Sequence, residues 1–94
     1  MEGMKMKTAQ AGTLESMDCL VTASAAERGK GIFITMEGAN IARFRDSILK
    51  TAKATLQELG IKDVVLSIQF NGANDVVLKA RVEAAARTLM GGEE

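Results

Sequence analysis

The run from Asn40 to Gly60 constrains this chain more than any other. Ile41, Phe44, Ile48, Ala52, Leu56 (with Thr55) and Leu59 recur at helical spacing on one face, while Arg43, Asp46, Lys50, Lys53 and Glu58 fall largely on the other. Asn40 reads as the N-cap and Gly60 as the residue after the C-cap, where a left-handed turn stops the helix. A long amphipathic helix with one apolar stripe has to bury that stripe against a second layer.

Strands supply that layer. Lys30–Glu37 alternates with Ile32, Ile34 and Met36 toward the core and Phe33 and Thr35 on the other side. Asp63–Phe70 places Leu66, Ile68 and Phe70 on one face and Val65, Ser67 and Gln69 on the other. Cys19–Ala23 is rich in β-formers, and Thr8–Leu14 is a weaker strand interrupted by Gly12, a candidate bulge or close backbone approach. Ser24–Gly29 reads as a connecting turn. Arg28-Gly29-Lys30-Gly31 lacks the full phosphate-loop pattern and precedes a strand rather than a helix, so it is assigned to a hairpin turn. After Asn71-Gly72-Ala73-Asn74, a second helix starts at Asn74 or Asp75 and runs to about Met90, with Leu78, Val82, Ala85 and Leu89 as its buried stripe.

The order β-β-β-α-β-α implies an α+β fold, a two-layer sandwich in which one twisted sheet of about four strands is covered on one face by two helices. The helix after Asn40 makes a right-handed crossover if its flanking strands are parallel. Residues 1–8 read as a flexible leader, with Met4 and Met6 as alternative starts, 9–90 as one domain, and 91–94 as a disordered tail.

Composition excludes several functions. Twelve basic and twelve acidic residues cancel, and the three aromatics are all Phe, so neither field nor stacking platform favours nucleic acid or an anionic membrane. No apolar run approaches the roughly 20 residues of a membrane span. The chain has no His and one Cys, Cys19, which rules out a Ser-His-Asp or Cys-His nucleophile and argues against a metal site. A lone cysteine fits a reducing compartment, so the expected location is cytoplasmic, and Cys19 is read as a core residue. No catalytic residues are assigned.

What remains is a hydroxyl. If the segments flanking Ala11-Gly12-Thr13-Leu14-Glu15-Ser16-Met17-Asp18 pair as strands, Ser16 lies at or near the tip of a chain reversal, open to another protein's active site. On spacing alone the favoured reading of Ser16 is a plain turn residue. A second serine, in Asp46-Ser47-Ile48-Leu49, has the Asp-Ser-Leu flavour of the four-helix acyl carrier proteins. Those place the serine at a helix start in an acidic, all-helical domain, whereas Ser47 lies inside a helix of a neutral chain and reads as solvent-facing.

Ala11-Gly12-Thr13-Leu14-Glu15-Ser16-x-Asp18 resembles the attachment motif of the acyl carrier protein (gamma chain) of citrate lyase. Asn71 through Ala85, Asn-Gly-Ala-Asn-Asp-Val-Val-Leu-Lys-Ala-Arg-Val-Glu-Ala-Ala, is similar to that family's Lys-Gly-Ala-Leu-Asp-x-x-Leu-Arg-Ala-Arg-hydrophobic-Glu-Ala segment, and Leu59-Gly60-Ile61-Lys62 to its Leu-Gly-Val-Lys. The similarity runs from about Ala9 to Leu89. Asn71 and Asn74 depart from the family's Lys and Leu, and Met17 stands where a small residue is usual.

The resemblance implies a non-catalytic carrier with a 2'-(5''-phosphoribosyl)-3'-dephospho-CoA arm esterified to Ser16. It implies three partners: an attaching transferase, an alpha subunit that exchanges acetyl for citryl on the arm, and a beta subunit that cleaves the citryl thioester to oxaloacetate. Tethering would raise the effective concentration of the thioester at both partner sites. Around Ser16, Gly12 is expected either to admit the transferase to the backbone or to form a bulge, and Glu15 and Asp18 to repel the arm's phosphates from the domain. Lys79 and Arg81 are candidates for phosphate or partner-carboxylate contacts, against a plain helix-surface pair such as Lys79 with Glu83. The alternatives are the carrier subunit of malonate decarboxylase, whose motif has a Gly-Ser-Gly-Asp character, a citramalate lyase carrier, or an interaction module with no prosthetic group.

Overall fold

A computed structural model describes residues 7–91, so the leader and tail fall mostly outside the described residues. The elements are β1 (Thr8–Gly12), β2 (Asp18–Ala25), β3 (Ile32–Glu37), α1 (Ile41–Glu58), β4 (Val64–Asn71) and α2 (Asp75–Leu89). Thr8, grouped with the leader on sequence, opens β1, and the Ala25 amide donates to the Lys7 carbonyl beside it at 3.1 Å.

The four strands form one sheet in the order β1-β2-β4-β3. β1 pairs antiparallel with β2 and β2 with β4, whereas β3 runs parallel to β4. Both helices pack on one face, α2 over β1 and β2, and α1 beside α2 and toward β3. This is the two-layer α+β sandwich. The parallel β3-α1-β4 unit is the arrangement for which a right-handed crossover is expected.

One local expectation fails in an informative way. The Glu27–Lys30 turn is closed by the Lys30 amide on the Glu27 carbonyl at 3.0 Å, but it does not join a hairpin. β4, which comes later in the chain, lies between β2 and β3 and hydrogen-bonds to both. The loop is a passage across the end of β4, and Asp63, expected to open β4, instead serves this loop: its carboxylate accepts from the Gly31 amide at 2.7 Å.

The alternation read from the sequence holds. Val21, Ala23, Val64, Leu66 and Ile68 are fully buried, and Ile48, Ala52 and Leu56 of α1 and Leu78, Val82, Ala85 and Ala86 of α2 close the core over them. Small inward residues on β1 and β2 (Ala9, Cys19, Ala23) face α2, whose own buried surface includes Ala85 and Ala86; pairing small with small brings helix and sheet close. Ile32, Ile34 and Met36 are only half-buried because β3 is an edge strand, and Phe33 on the opposite face stays exposed. Phe44 stacks against Phe70 with ring centroids 5.4 Å apart. The buried Thr55 hydroxyl donates to the Thr51 carbonyl of its own helix at 2.8 Å, so α1 carries no unsatisfied polar group there.

The helix ends differ. α1 stops in a Schellman arrangement: Ile61 N–H donates to Leu56 O and Gly60 N–H to Gln57 O, both at 3.0 Å, with Gly60 at φ +74°. At its other end Asn40 occupies the N-cap position but does not cap with its side chain. Its backbone is left-handed, φ 61°, held by a tight approach in which Ile41 N–H donates to Gly38 O, and that conformation leaves its amide group without a helix N–H to accept from. Asn74 does cap α2, its side-chain oxygen accepting from Val77 N–H at 2.9 Å. No helix among the described residues is long and apolar enough to cross a membrane.

Candidate functional site

The β1–β2 connection is short, Thr13 to Met17, and all of it is exposed, Leu14 and Met17 included. Asp18 N–H donates to Glu15 O at 3.2 Å and closes a reverse turn with Ser16 and Met17 at its corners. Met17 has φ 69°, a left-handed conformation that glycine or asparagine adopts more readily. Ser16 is therefore placed at the tip, as its position in the sequence led us to expect, and none of the side-chain hydrogen bonds among the described residues engages its hydroxyl.

Two clamps hold this turn from below. The first comes from the end of β4: Met17 N–H donates to Asn71 O at 2.7 Å, and Asn71 Nδ2 donates to Leu14 O at 3.0 Å. The second centres on Asp18. Arg81 of α2 grips it bidentately, Nε to Oδ1 at 2.9 Å and Nη2 to Oδ2 at 3.0 Å. Thr13 Oγ1 donates to Oδ2 at 2.7 Å, and Cys19 N–H donates to Oδ1 at 2.7 Å. The Thr13 hydroxyl in turn accepts from Glu15 N–H at 3.1 Å, so one carboxylate organises both shoulders of the turn.

The electrostatics follow from that geometry. The Arg81 guanidinium, then the Thr13 hydroxyl and the Cys19 amide, hold the Asp18 carboxyl well below the usual carboxylate range. Asp18 reciprocally raises the pKa of Arg81. Asp18 is thus a buried brace, and its expected role as a free charge repelling phosphates is not what the structure shows; Glu15 alone stands exposed beside Ser16. Arg81 is likewise committed to Asp18 rather than free for phosphate. Lys79 pairs with Glu58 of α1 at 2.6 Å and not with Glu83, which lies 3.6 Å from Arg87 instead.

Gly12 has a structural explanation. Its φ is +102°, and a Cβ there would stand 1.9 Å from the Cys19 carbonyl oxygen and 3.1 Å from Arg81 Cδ. Only glycine lets β1 pass this close to β2 beneath the brace. Cys19 is fully buried, and burial, followed by the neighbouring Asp18 charge, pushes its thiol up to about 11. It is a core residue and unreactive as a nucleophile.

Sequence reasoning missed Thr13, Asn71 and the Asp18–Arg81 pair. A signal for the last was faint: Arg81 flanks the buried stripe of Leu78, Val82 and Ala85, at the edge where a long basic side chain can reach across to the sheet. No group of three or more His, Cys, Asp or Glu among the described residues is placed to hold a metal ion. Ser47 is exposed in mid-helix on α1, one wall of an open groove of about 650 Å³ between the two helices, and no clamp of this kind surrounds it.

The site offers an accessible hydroxyl on a fixed backbone. Comparison with known proteins places the chain in a family. A protein of Clostridium perfringens named citrate lyase acyl carrier protein is 42% identical over 79 residues, covering 84% of this chain and 77% of the relative. Like-named proteins of Halothermothrix orenii and Escherichia fergusonii are 35% identical over 89 residues and 38% identical over 80 residues, covering 94% and 85% of this chain and 93% and 81% of those relatives. The chain belongs to the citrate lyase acyl carrier protein family. A family model described as malonate decarboxylase delta subunit (MdcD), of the acyl carrier group, also matches residues 6–89. For a member of this family, the braced turn around Ser16 and the helix bearing Arg81 both lie within the matched span.

Proposed function

We propose that this chain is the acyl carrier subunit of a citrate lyase, cytoplasmic and without catalysis of its own, and that Ser16 bears its prosthetic group. The observation that carries this reading is the Ser16 hydroxyl, exposed at the tip of a turn whose backbone is clamped from two sides. The residues fit a 2'-(5''-phosphoribosyl)-3'-dephospho-CoA arm in phosphodiester linkage. Nothing hydrogen-bonds the attachment oxygen among the described residues, Glu15 beside it discourages the arm's phosphates from folding back onto the domain, and Gly12, Thr13 and Asp18 support the turn from beneath. Such a group supplies the thiol on which acyl groups are carried, a chemistry that this chain's side chains lack.

The partners under this reading are the alpha (acyl transferase) and beta (lyase) subunits that complete citrate cleavage to acetate and oxaloacetate, and an attaching transferase whose active site receives the turn. The domain's part is to present one oxygen rigidly and then carry the load between sites at high effective concentration. The family model's description favours a second reading, a malonate decarboxylase carrier. Glu15-Ser16-Met17-Asp18 and the names of the relatives favour citrate lyase.

Intact mass after co-expression with the attaching enzymes tests the attachment. The expected result is an added mass equal to the arm, absent from Ser16→Ala. An unmodified wild-type chain beside demonstrably active attaching enzymes overturns the carrier reading. Loaded protein mixed with citrate lyase alpha and beta subunits should then support oxaloacetate release from citrate; support of malonate decarboxylation instead selects the second reading.

A further inference from the structure

The Ser16 turn and the N-terminal half of α2 lie far apart in sequence, yet one ion pair joins them. Asp18 closes the turn that displays Ser16, and Arg81 reaches it from α2 across 63 positions of sequence. The pair is bidentate, the Asp18 side chain is only 13% exposed, and its remaining contacts go to Thr13 and the Cys19 amide, both next to the turn. We propose that Arg81 and Asp18 are positioning residues for the loading of Ser16: their ion pair, with Asn71 as a second clamp, holds the Glu15–Asp18 turn in the one conformation that the attaching enzyme receives. The inference rests on the carrier reading and names the device by which the domain makes its serine a substrate.

Three observations converge on this assignment. First, the turn contains a residue in a conformation it would not choose: Met17 at φ 69° persists because its N–H is fixed to Asn71 O and the Asp18 side of the turn is fixed to α2. Second, the brace is built at the expense of freedom elsewhere. Gly12 is confined to glycine by the Cys19 carbonyl and the Arg81 side chain together, so β1, β2 and α2 meet at one point beneath Ser16. Third, a bidentate guanidinium–carboxylate pair fixes orientation as well as distance, which a lysine in place of Arg81 would not do.

Loading forms one P–O bond from Ser16 Oγ to a phosphorus of an activated donor carrying a phosphoric anhydride. The anhydride P–O bond breaks, the polyphosphate leaves, and the hydroxyl proton passes to a base on the attaching enzyme. Asp18 cannot act as that base, because all its contacts are engaged and its carboxyl is a weak proton acceptor. Its contribution is geometric. A turn freed from the brace would visit the receivable conformation for only part of the time, and its apparent affinity for the enzyme falls by that fraction.

The test combines two readouts on the full chain. Backbone amide relaxation on unmodified protein should show Ser16 and Met17 as rigid as β2 in the wild type, and mobile in Arg81→Met while β2, β4 and α1 stay rigid. Loading kinetics with the attaching enzyme and its activated donor should show kcat/KM for Arg81→Met lowered on the order of tenfold or more, chiefly through KM. Arg81→Lys should recover part of the loss, Asn71→Ala should lose less, and Ile48→Val, which weakens the core far from the turn, should load as the wild type does. Arg81→Met that loads at the wild-type rate, or a turn as rigid without the pair as with it, overturns the proposal. Loss in Ile48→Val equal to that in Arg81→Met also overturns it, since stability alone would then account for the effect. A wild-type chain that is never loaded, with the attaching enzyme active on another carrier, overturns the carrier reading and this inference with it; normal wild-type loading with an indifferent Arg81→Met overturns the inference alone.

Discussion

The turn at Thr13–Met17 and the loop at Ala26–Gly31 make a controlled comparison. They flank β2 at its two ends, each has a glycine at or beside one end, and each is held by one aspartate. At the Ala26–Gly31 loop the carboxylate, Asp63, accepts from the Gly31 amide, and the Gly31 amide, then the Gly29 amide, lower its pKa, with smaller help from the Lys62 and Arg28 charges. At the Thr13–Met17 turn the carboxylate is gripped by a guanidinium from the helical layer. One loop is fastened within the sheet, while the other is fastened through it to the opposite layer. The difference shows how a small domain gives one of two similar loops a defined shape: it connects that loop to an element whose position the core already fixes.

Glycine substitution should give the largest separation between the two. A Cβ at Gly31 (φ +88°) meets nothing within 4 Å, whereas one at Gly12 collides with the Cys19 carbonyl. Gly31→Ala should cost about 1–2 kcal/mol, the left-handed strain alone. Gly12→Ala should cost about 3 kcal/mol or more, since strand separation is added to the strain. Urea denaturation reads both, and equal midpoints would mean that the close approach beneath Ser16 is freely relaxed.

Acid is the next discriminator. The folded Asp18 carboxyl keeps its charge below the ordinary value of 3.8. Between the two values the unfolded chain binds more protons, so stability falls as pH falls. The contribution is fully present above about pH 5 and declines as pH drops through the unfolded value toward the folded one. Melting temperature between pH 3 and pH 7 should therefore show a gap between wild type and Asp18→Asn that is widest near neutrality and narrows in acid. Asp63→Asn should give a smaller gap with the same sign, because backbone amides are weaker partners than a bidentate guanidinium. A larger gap for Asp63 would reverse the ranking of the two loops.

The sequence legibility of these regions divides along the same line. Local signals are sufficient where the physics is local. The apolar stripe of α1, the Gly60 stop, the alternation of β3 and β4, and Ser16 at a compact polar reversal are all set by residues within a few positions of each other. What stays hidden depends on which segments later become neighbours. Arg28–Gly31 looks like a hairpin because nothing before Val64 reveals that β4 will enter between β2 and β3. Asp18 looks like a surface charge because its partner stands on α2. Asn40 is legible as the start of α1, but its left-handed backbone, which disables its side chain as a cap, is imposed by the tight turn from Gly38. Asn71, on sequence only a departure from the family's lysine, proves to be the residue that ties Leu14 and Met17 to β4.

The smallest expected effect concerns Met17, and it sharpens the comparison most finely. Its φ of 69° suits glycine, its side chain is 68% exposed, and the surrounding contacts are to its backbone. Met17→Gly relieves the left-handed strain but gives the unfolded chain more freedom, so the two effects partly offset. The net gain should be no more than about 0.5–1 kcal/mol, read as a raised urea midpoint. If the brace rather than residue choice defines the turn, amide relaxation at Ser16 should be the same in Met17→Gly as in the wild type. A turn that becomes mobile in that variant would show instead that the Asp18–Arg81 and Asn71 clamps leave the tip underdetermined, and that a bulky residue at this corner supplies the missing restraint.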